Sequence, residues 1–252
     1  GYEVALAEGG EALGGRVTRE AKLPGLAAWA RVRDYRTWQI AQMAGVETYL
    51  ASPLSADDVL GFGYGHVVFA TGSTWRRDGV GRLHTKPVPF DPALPVFTPD
   101  DLMAGARPPG RDVLVFDDDH YYMASVLAEL LAAEGFRVRY LTMASRAADW
   151  TYHTMEQHRI QAQLLERGIT VSTGRGLRAA ADGAPEAFCK FTGRAEALAC
   201  DALVLVTARL PDDGVYRAVL ARESEWAAAG LARVDAIGDA WAPGTIAAAV
   251  YA

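Results

Sequence analysis

Apolar positions along the chain follow two periods. Short apolar runs bounded by glycine or polar turns fall at residues 2–8, at His-Val-Val-Phe-Ala-Thr-Gly (66–72), and at 112–116, 136–141, 169–173, 201–208 and 234–240. Their length and bounding turns predict β-strands, with further short strands over 46–69. Between them the spacing turns helical. Met123, Val126, Leu127, Leu130 and Leu131 form an i, i+3, i+4 stripe that predicts a helix over 121–134, and residues 153–167 and 245–252 read the same way. Leu26, Trp29, Tyr35, Trp38, Ile40 and Met43 stand among charges, which predicts an amphipathic helix or helix pair over 26–45. Residues 187–200 read as a small hairpin around Thr192, Gly193 and Arg194. Strands alternating with helices imply an α/β fold with parallel sheets. Pro87, Pro89, Pro92, Pro95 and Pro99 mark 85–99 as a linker, because proline interrupts helix interiors and sheet ladders alike. A weak repeat is visible, since the apolar strand and small turn at 66–72 recur at 202–208.

The first run reads as the second strand of a dinucleotide-binding βαβ unit, with Glu8 at its end. In such a unit a glycine-rich phosphate turn stands about twenty residues before the acid. Only seven residues precede Glu8 here, so the first strand and its turn are expected upstream, with the first strand missing from this sequence. Glu8 is placed to accept hydrogen bonds from both ribose hydroxyls of a nucleotide, although an acid after a strand is also an ordinary solvated turn residue. Gly14, Gly15 and Arg16 on one side, and Ala70, Thr71 and Gly72 on the other, would flank the ligand. Gly238 and Asp239 supply a later polar turn. Arg16 either faces a phosphate or forms a surface salt bridge.

A second βαβ unit follows the linker, and its phosphate turn carries a negative signal. The three positions that need glycine for tight bending, close approach and helix packing are Asp117, Asp119 and Tyr122. Side chains there block a pyrophosphate and present carboxylates to it, as if an NAD(P) site had been retired; a shifted register or a metal-binding acid cluster are the alternatives. Trp150, Tyr152, His153 and His158 invite a metal or redox role. A five-residue spacing puts the two histidines on different helix faces, so packing is the favoured reading. Tyr121 and Tyr122 either help a redox partner dock or fill the space of the absent glycines.

Composition narrows the partners. Of 252 residues 50% are hydrophobic, enough for a sizeable core. Twenty-five Lys and Arg against 31 Asp and Glu give a net charge of −6 with no basic run, which argues against nucleic acid or an anionic membrane surface as partner. Cys189 and Cys200 are too few for a four-thiolate zinc or iron–sulfur site, and a disulfide between them is disfavoured, so a reducing, cytoplasmic setting is expected. Neither a catalytic residue nor a metal ligand is assigned within the chain.

The markers Glu8, Gly14-Gly15-Arg16, Ala70-Thr71-Gly72, Val206-Thr207-Ala208-Arg209 and Gly238-Asp239-Ala240 resemble the two-dinucleotide-domain flavoprotein disulfide reductase architecture. That implies two Rossmann-like dinucleotide-binding domains, an NAD(P)-like domain inserted in an FAD/ADP-like one: 1–96 and 211–252 as the outer domain, 97–210 as a degenerate insert. More specifically, Leu23-Pro24-Gly25-Leu26, Arg33-Asp34-Tyr35-Arg36, Ala221-Arg222-Glu223-Ser224-Glu225-Trp226 and Ile237-Gly238-Asp239-Ala240-Trp241-Ala242-Pro243 resemble the C-terminal region of the trimethylamine, dimethylamine and histamine dehydrogenases. The resemblance implies an iron–sulfur flavoprotein amine dehydrogenase. FMN and a 4Fe–4S cluster would lie in an N-terminal barrel absent from this sequence, and ADP would be bound here in place of FAD. It further implies a small amine substrate held outside this chain, an electron-transferring flavoprotein as acceptor, and a homodimer. In FAD-binding relatives the aspartate matching Asp239 contacts the chain leading to the flavin. The alternative is part of an NAD(P)H-dependent reductase related to the 2,4-dienoyl-CoA reductases.

Overall fold

The computed structural model describes residues 2–251, so Gly1, at the start of the expected outer domain, and Ala252, at the end of the expected last helix, lie outside the described residues. Two compact units are present. The first takes the chain up to Ala21, then Leu26–Thr74, then everything from Arg209; the second takes Lys22–Gly25 and Trp75–Ala208.

The second unit is built on five parallel strands in the order Val96–Phe97, Ala202–Val206, Asp112–Asp117, Arg137–Thr142 and Thr170–Ser172. Ala202–Val206 is buried at every residue and Asp112–Asp117 at all but the first. Uninterrupted apolar runs of this kind are what a parallel sheet covered on both faces requires. Helix Met123–Ala133 buries Met123, Ala124, Val126, Leu127, Ala128 and Leu131, whereas helix Gln157–Glu166 buries only Gln157, Ile160 and Leu164, a one-sided stripe. A three-stranded antiparallel sheet joins Arg175–Ala179, Pro185–Cys189 and Ala195–Ala197. Leu177, Ala187 and Leu198 share a core with Leu114, Phe116, Leu141, Leu203 and Leu205. The hairpin expected at 187–200 is its outer part; the strand Arg175–Ala179 escaped the sequence reading because Arg175, Gly176 and Arg178 hide its alternation.

Two short parallel ladders lie among the described strands of the first unit. Val4–Ala7 pairs with Val46–Tyr49, and His66–Phe69 with Arg233–Ala236. Val59, Leu60, Phe69, Val219 and Leu231 make its buried cluster, brought together by helices Ala56–Gly61, Gly214–Leu220 and Glu223–Ala229. Ser55 starts the first of these helices with a reciprocal capping box to Asp58. The amphipathic helix expected at 26–45 is corrected. Leu26 is buried ahead of a 3-10 turn at Ala27–Trp29, but helix Ala30–Ala41 buries no residue, and Tyr35 and Trp38 are 55% and 62% exposed.

Two further expectations change. Residues 75–96, proline-rich stretch included, group with the second unit, so apart from the short excursion at Lys22–Gly25 the chain passes into it at Thr74 and Trp75, ahead of the expected boundary at 96 and 97. The class of two Rossmann-like dinucleotide-binding domains of the flavoprotein disulfide reductase type is corrected as well. Only the second unit carries a continuous parallel sheet among the described residues, and its phosphate turn lacks all three glycines. No helix among the described residues is long and apolar enough to cross a membrane.

Candidate functional site

Glu8 leaves the strand Val4–Ala7 with its amide donating to Tyr49 O at 2.8 Å, which holds it level with the neighbouring strand. Its side chain turns back: Oε1 accepts from Gly10 N at 2.7 Å. A Cβ at Gly10 would come within 3.2 Å of that oxygen, a tight contact that glycine avoids. The residue is half-buried, and the second carboxylate oxygen has no partner among the described residues. Helix Gly15–Glu20 begins a few residues on, after Gly14 at φ 115°, and Gly15 faces open space.

Arg16, for which the sequence offers a phosphate contact or a surface salt bridge, is engaged inside the unit. Its guanidinium donates to Ser73 O at 3.0 Å and to the Ser73 hydroxyl, and lies 3.3 Å from Asp239 Oδ2 and 3.9 Å from Glu20. Both oxygens of Asp239 are engaged from the protein side. Oδ2 accepts from Ser73 Oγ at 2.8 Å and from Arg209, and Oδ1 accepts from Gly244 N at 2.9 Å. Arg209 in turn donates to Gly244 O at 2.6 Å. With side chains 14–17% exposed, Arg16, Arg209 and Asp239 form a largely buried, mutually compensated cluster. Gly238 sits just before it in the left-handed region at φ 56°, opening the 3-10 turn Gly238–Ala240. Ala70, Thr71 and Gly72 follow the strand His66–Phe69. There the Thr71 hydroxyl donates to Asp212 O, and Gly72 O accepts from Asp212 N at 2.9 Å. The structure therefore brings Arg16 and Asp239 together and sets Glu8 with Gly10. Ser73, Glu20 and Arg209 complete the cluster, and no spacing in the sequence marked Ser73 or Glu20.

The acid turn of the second unit differs from its expectation. Its carboxylates do not line up outward against a phosphate. Asp117 and Asp118 are fully buried. Asp117 accepts from the Tyr140 hydroxyl and from His120 N at 2.8 Å. Burial drives its carboxyl up to about 7, against those two hydrogen bonds and with the charges of Asp119 and Asp118 adding to the rise. Asp118 accepts from Leu83 N and His84 N, each at 3.0 Å, on Oδ2, while His120 Nε2 lies 3.0 Å from Oδ1. Burial works against its charge too, but the His84 ring and the two amides outweigh it and hold the carboxyl below the usual carboxylate range. Asp119 lies 3.6 Å from Arg82, and burial pushes His120 below its ordinary value. His120 itself adopts φ 64°, a conformation a glycine would take without strain. His153 and His158 are exposed, and no group of three potential ligands for a metal ion occurs among the described residues.

Comparison with known proteins places these units. A family model described as the OYE-like second alpha/beta domain matches residues 97–185. Dimethylamine dehydrogenase of Hyphomicrobium sp. (strain x) is 35% identical over 276 residues, covering 100% of this chain and 37% of its own length. The solved histamine dehydrogenase from Rhizobium sp. 4-9 matches with TM-score 0.97 and 49% identity, across 100% of this chain and 39% of that one. A 6-hydroxypseudooxynicotine amine oxidase from Pseudomonas geniculata N1 matches with TM-score 0.92 and 42% identity, across 100% of this chain and 37% of that one. The chain thus spans less than two fifths of the length of these relatives. These matches complete the correction of fold class, because residues 97–185 match an OYE-like α/β domain rather than one of the disulfide reductase kind.

Proposed function

The chain is homologous over its whole length to dimethylamine dehydrogenase and histamine dehydrogenase, and from that kinship we propose that it is the nucleotide-holding region of an amine-oxidising flavoprotein, with ADP as its ligand. The observation that carries the nucleotide assignment is Glu8. An acid at the end of a parallel strand, with one oxygen fixed by Gly10 and the other unpartnered, is built to accept a ribose hydroxyl. Gly14, Gly15 and the turn at Ala70, Thr71 and Gly72 provide backbone that a nucleotide can approach.

The preference for ADP over FAD is supported by Asp239, both of whose oxygens are already engaged by the protein, Oδ2 by Ser73 and Arg209 with Arg16 beside it and Oδ1 by Gly244 N. Arg16 is likewise committed inside the unit, so the charge that offsets a bound diphosphate comes from backbone amides in this reading. ADP supplies no redox chemistry; its part is to hold the first unit in shape.

The amine chemistry belongs outside these 252 residues. Two cysteines cannot furnish the four thiolates of a 4Fe–4S cluster. FMN, the cluster, the small amine and the docking of an electron-transferring flavoprotein are accordingly assigned to the remainder of such a protein, which the reading takes as a homodimer. Both cysteines are free thiols, which agrees with a cytoplasmic setting. The alternative, an NAD(P)H-dependent reductase, meets a second unit whose phosphate turn is filled by Asp118.

Acid extraction of the purified protein, with mass identification of what is released, tests the reading. One equivalent of ADP is expected. FAD in addition to FMN, or micromolar NADH or NADPH binding in calorimetry that is lost on altering the second unit, would overturn it.

A further inference from the structure

In the second unit the strands Asp112–Asp117 and Ala202–Val206 are neighbours: from the first the chain runs outward through Arg137–Thr142 and Thr170–Ser172 on one side, and it returns to the second on the other. Sheets of this order take ligands in the crevice beyond the carboxyl ends of such a pair, at the point where the order reverses. Asp118 occupies that point: its own amide and that of Asp119 both donate to Val206 O, at 2.9 and 3.1 Å. Above it runs the segment 79–88. Its base is closed by Val88 N donating to Asp78 O at 2.8 Å, and Asp78 is gripped by Arg76. At its tip two successive amides, Leu83 N and His84 N, converge on one oxygen of Asp118. Adjacent amides aimed at a single point form an anion-binding concavity, and the anion here is part of the chain.

The fit is close on every side. A Cβ on Gly81 would stand 2.3 Å from Asp118 Oδ2, so only glycine lets the segment pass. The His84 ring packs edge-on to Phe116, with centroids 4.9 Å apart, and its Nε2 lies 2.9 Å from Leu177 O. Its Nδ1 is buried, 3.6 Å from Asp118, with no hydrogen-bond partner. Arg82 donates to Asp119 O at 2.9 Å and lies over the Trp150 ring at 4.7 Å.

We propose that residues 79–88 are a strap latched over the sheet's ligand crevice by the buried carboxylate of Asp118, which serves as an intramolecular anion in the place of a bound one. The strap is a locally opening element: its tip is exposed at Arg82 and Leu83, and its hold on the unit passes through the two amides, the His84 ring and Arg82. Local opening of this kind is read by amide exchange.

The test is hydrogen exchange followed by mass spectrometry on the purified protein, with peptides that isolate residues 79–88. The native protein should protect the amides of Leu83 and His84. Asp118→Ala should raise exchange there at least about tenfold, since it removes the acceptor of two buried donors. Tryptic cleavage after Arg82 should accelerate with it, while peptides from Ala202–Val206 keep their protection. Asp118→Asn, which retains an acceptor oxygen without the charge, should fall between the two. If Asp118→Ala does not fold, Gly81→Ala probes the same contact from the strap side and should give the same local signature. Unprotected Leu83 and His84 in the native protein would overturn the proposal. So would unchanged exchange in the variants, or a rise spread evenly over the whole unit.

Discussion

Glu8 and Asp118 each follow a parallel strand of their own unit, and they differ in what they leave for a ligand. Glu8 is half-buried, holds one amide and keeps an oxygen unpartnered. Asp118 is fully buried and meets two amides and two histidine rings. Both are acids at a place where dinucleotide-binding folds meet their cofactor, yet one is available and the other is consumed. A carboxylate's presence at a strand end therefore says little about binding until its own hydrogen bonds have been counted.

The contrast is sharpest where the second unit is most closed. Phe116, completely buried beneath the turn, should cost about 3–5 kcal/mol when cut to alanine. Val68→Ala, on a strand of the first unit where the side chain is 47% exposed, should change stability by less than about 0.5 kcal/mol. Urea unfolding of the two variants compares them directly, and equal losses would break the comparison.

Asp117 gives the next largest effect, through pH. Its folded-state value of about 7 lies above its ordinary 3.8. A raised carboxyl favours the folded state in its protonated form, so this stabilisation is complete below about pH 4 and is lost as pH rises through about 7. The full swing is on the order of 4 kcal/mol. Melting temperature should therefore fall between pH 5 and 8, and Asp117→Asn should flatten that fall. A wild-type profile that is flat or rising over the range would refute the assignment.

Opening the first unit's site is a smaller matter. Glu8→Ala removes a charge-assisted hydrogen bond of about 1.5–3 kcal/mol, so ADP affinity measured by calorimetry should drop roughly ten- to a hundredfold. Unaltered affinity would remove Glu8 from the site. Smallest of the four, Ser55→Ala removes one half of a capping box and should cost about 1 kcal/mol in thermal unfolding, with nucleotide affinity unchanged.

Much of the second unit was legible in the sequence because its strands are continuous apolar runs. The readings at 112–116, 136–141, 169–173 and 201–208 meet the strands Asp112–Asp117, Arg137–Thr142, Thr170–Ser172 and Ala202–Val206 within two residues at each end. Helix Ala30–Ala41 was read correctly as helical and wrongly as amphipathic, since periodicity counts apolar residues without showing whether anything covers them. The entry into the main body of the second unit lies at Thr74 and Trp75, ahead of the expected boundary, because prolines at 85–99 mimic a linker. There they shape a segment packed within the second unit, with Phe90, Leu94 and Val96 against its core. At the candidate site Glu8 and its glycines were visible, but the closure of Asp239 by Ser73 and Arg209 joins residues 166 and 30 positions apart in sequence. No local pattern encodes such a contact.

The latched carboxylate also bears on how this chain can change over generations. Opening the crevice to a phosphate calls for the latch at Asp118 to go as well as for glycines at Asp117, Asp119 and Tyr122, but replacing Asp118 alone strands the amides of Leu83 and His84 and the ring of His120. Each orphaned donor is a penalty of about 1–3 kcal/mol, a heavy toll against the stability of an ordinary domain. Shortening the strap first would instead leave the buried acid unpaired. Neither order of single substitutions passes through a sound intermediate, so the two elements are bound by epistasis, and the second unit is held away from dinucleotide binding by the route back as well as by its present shape.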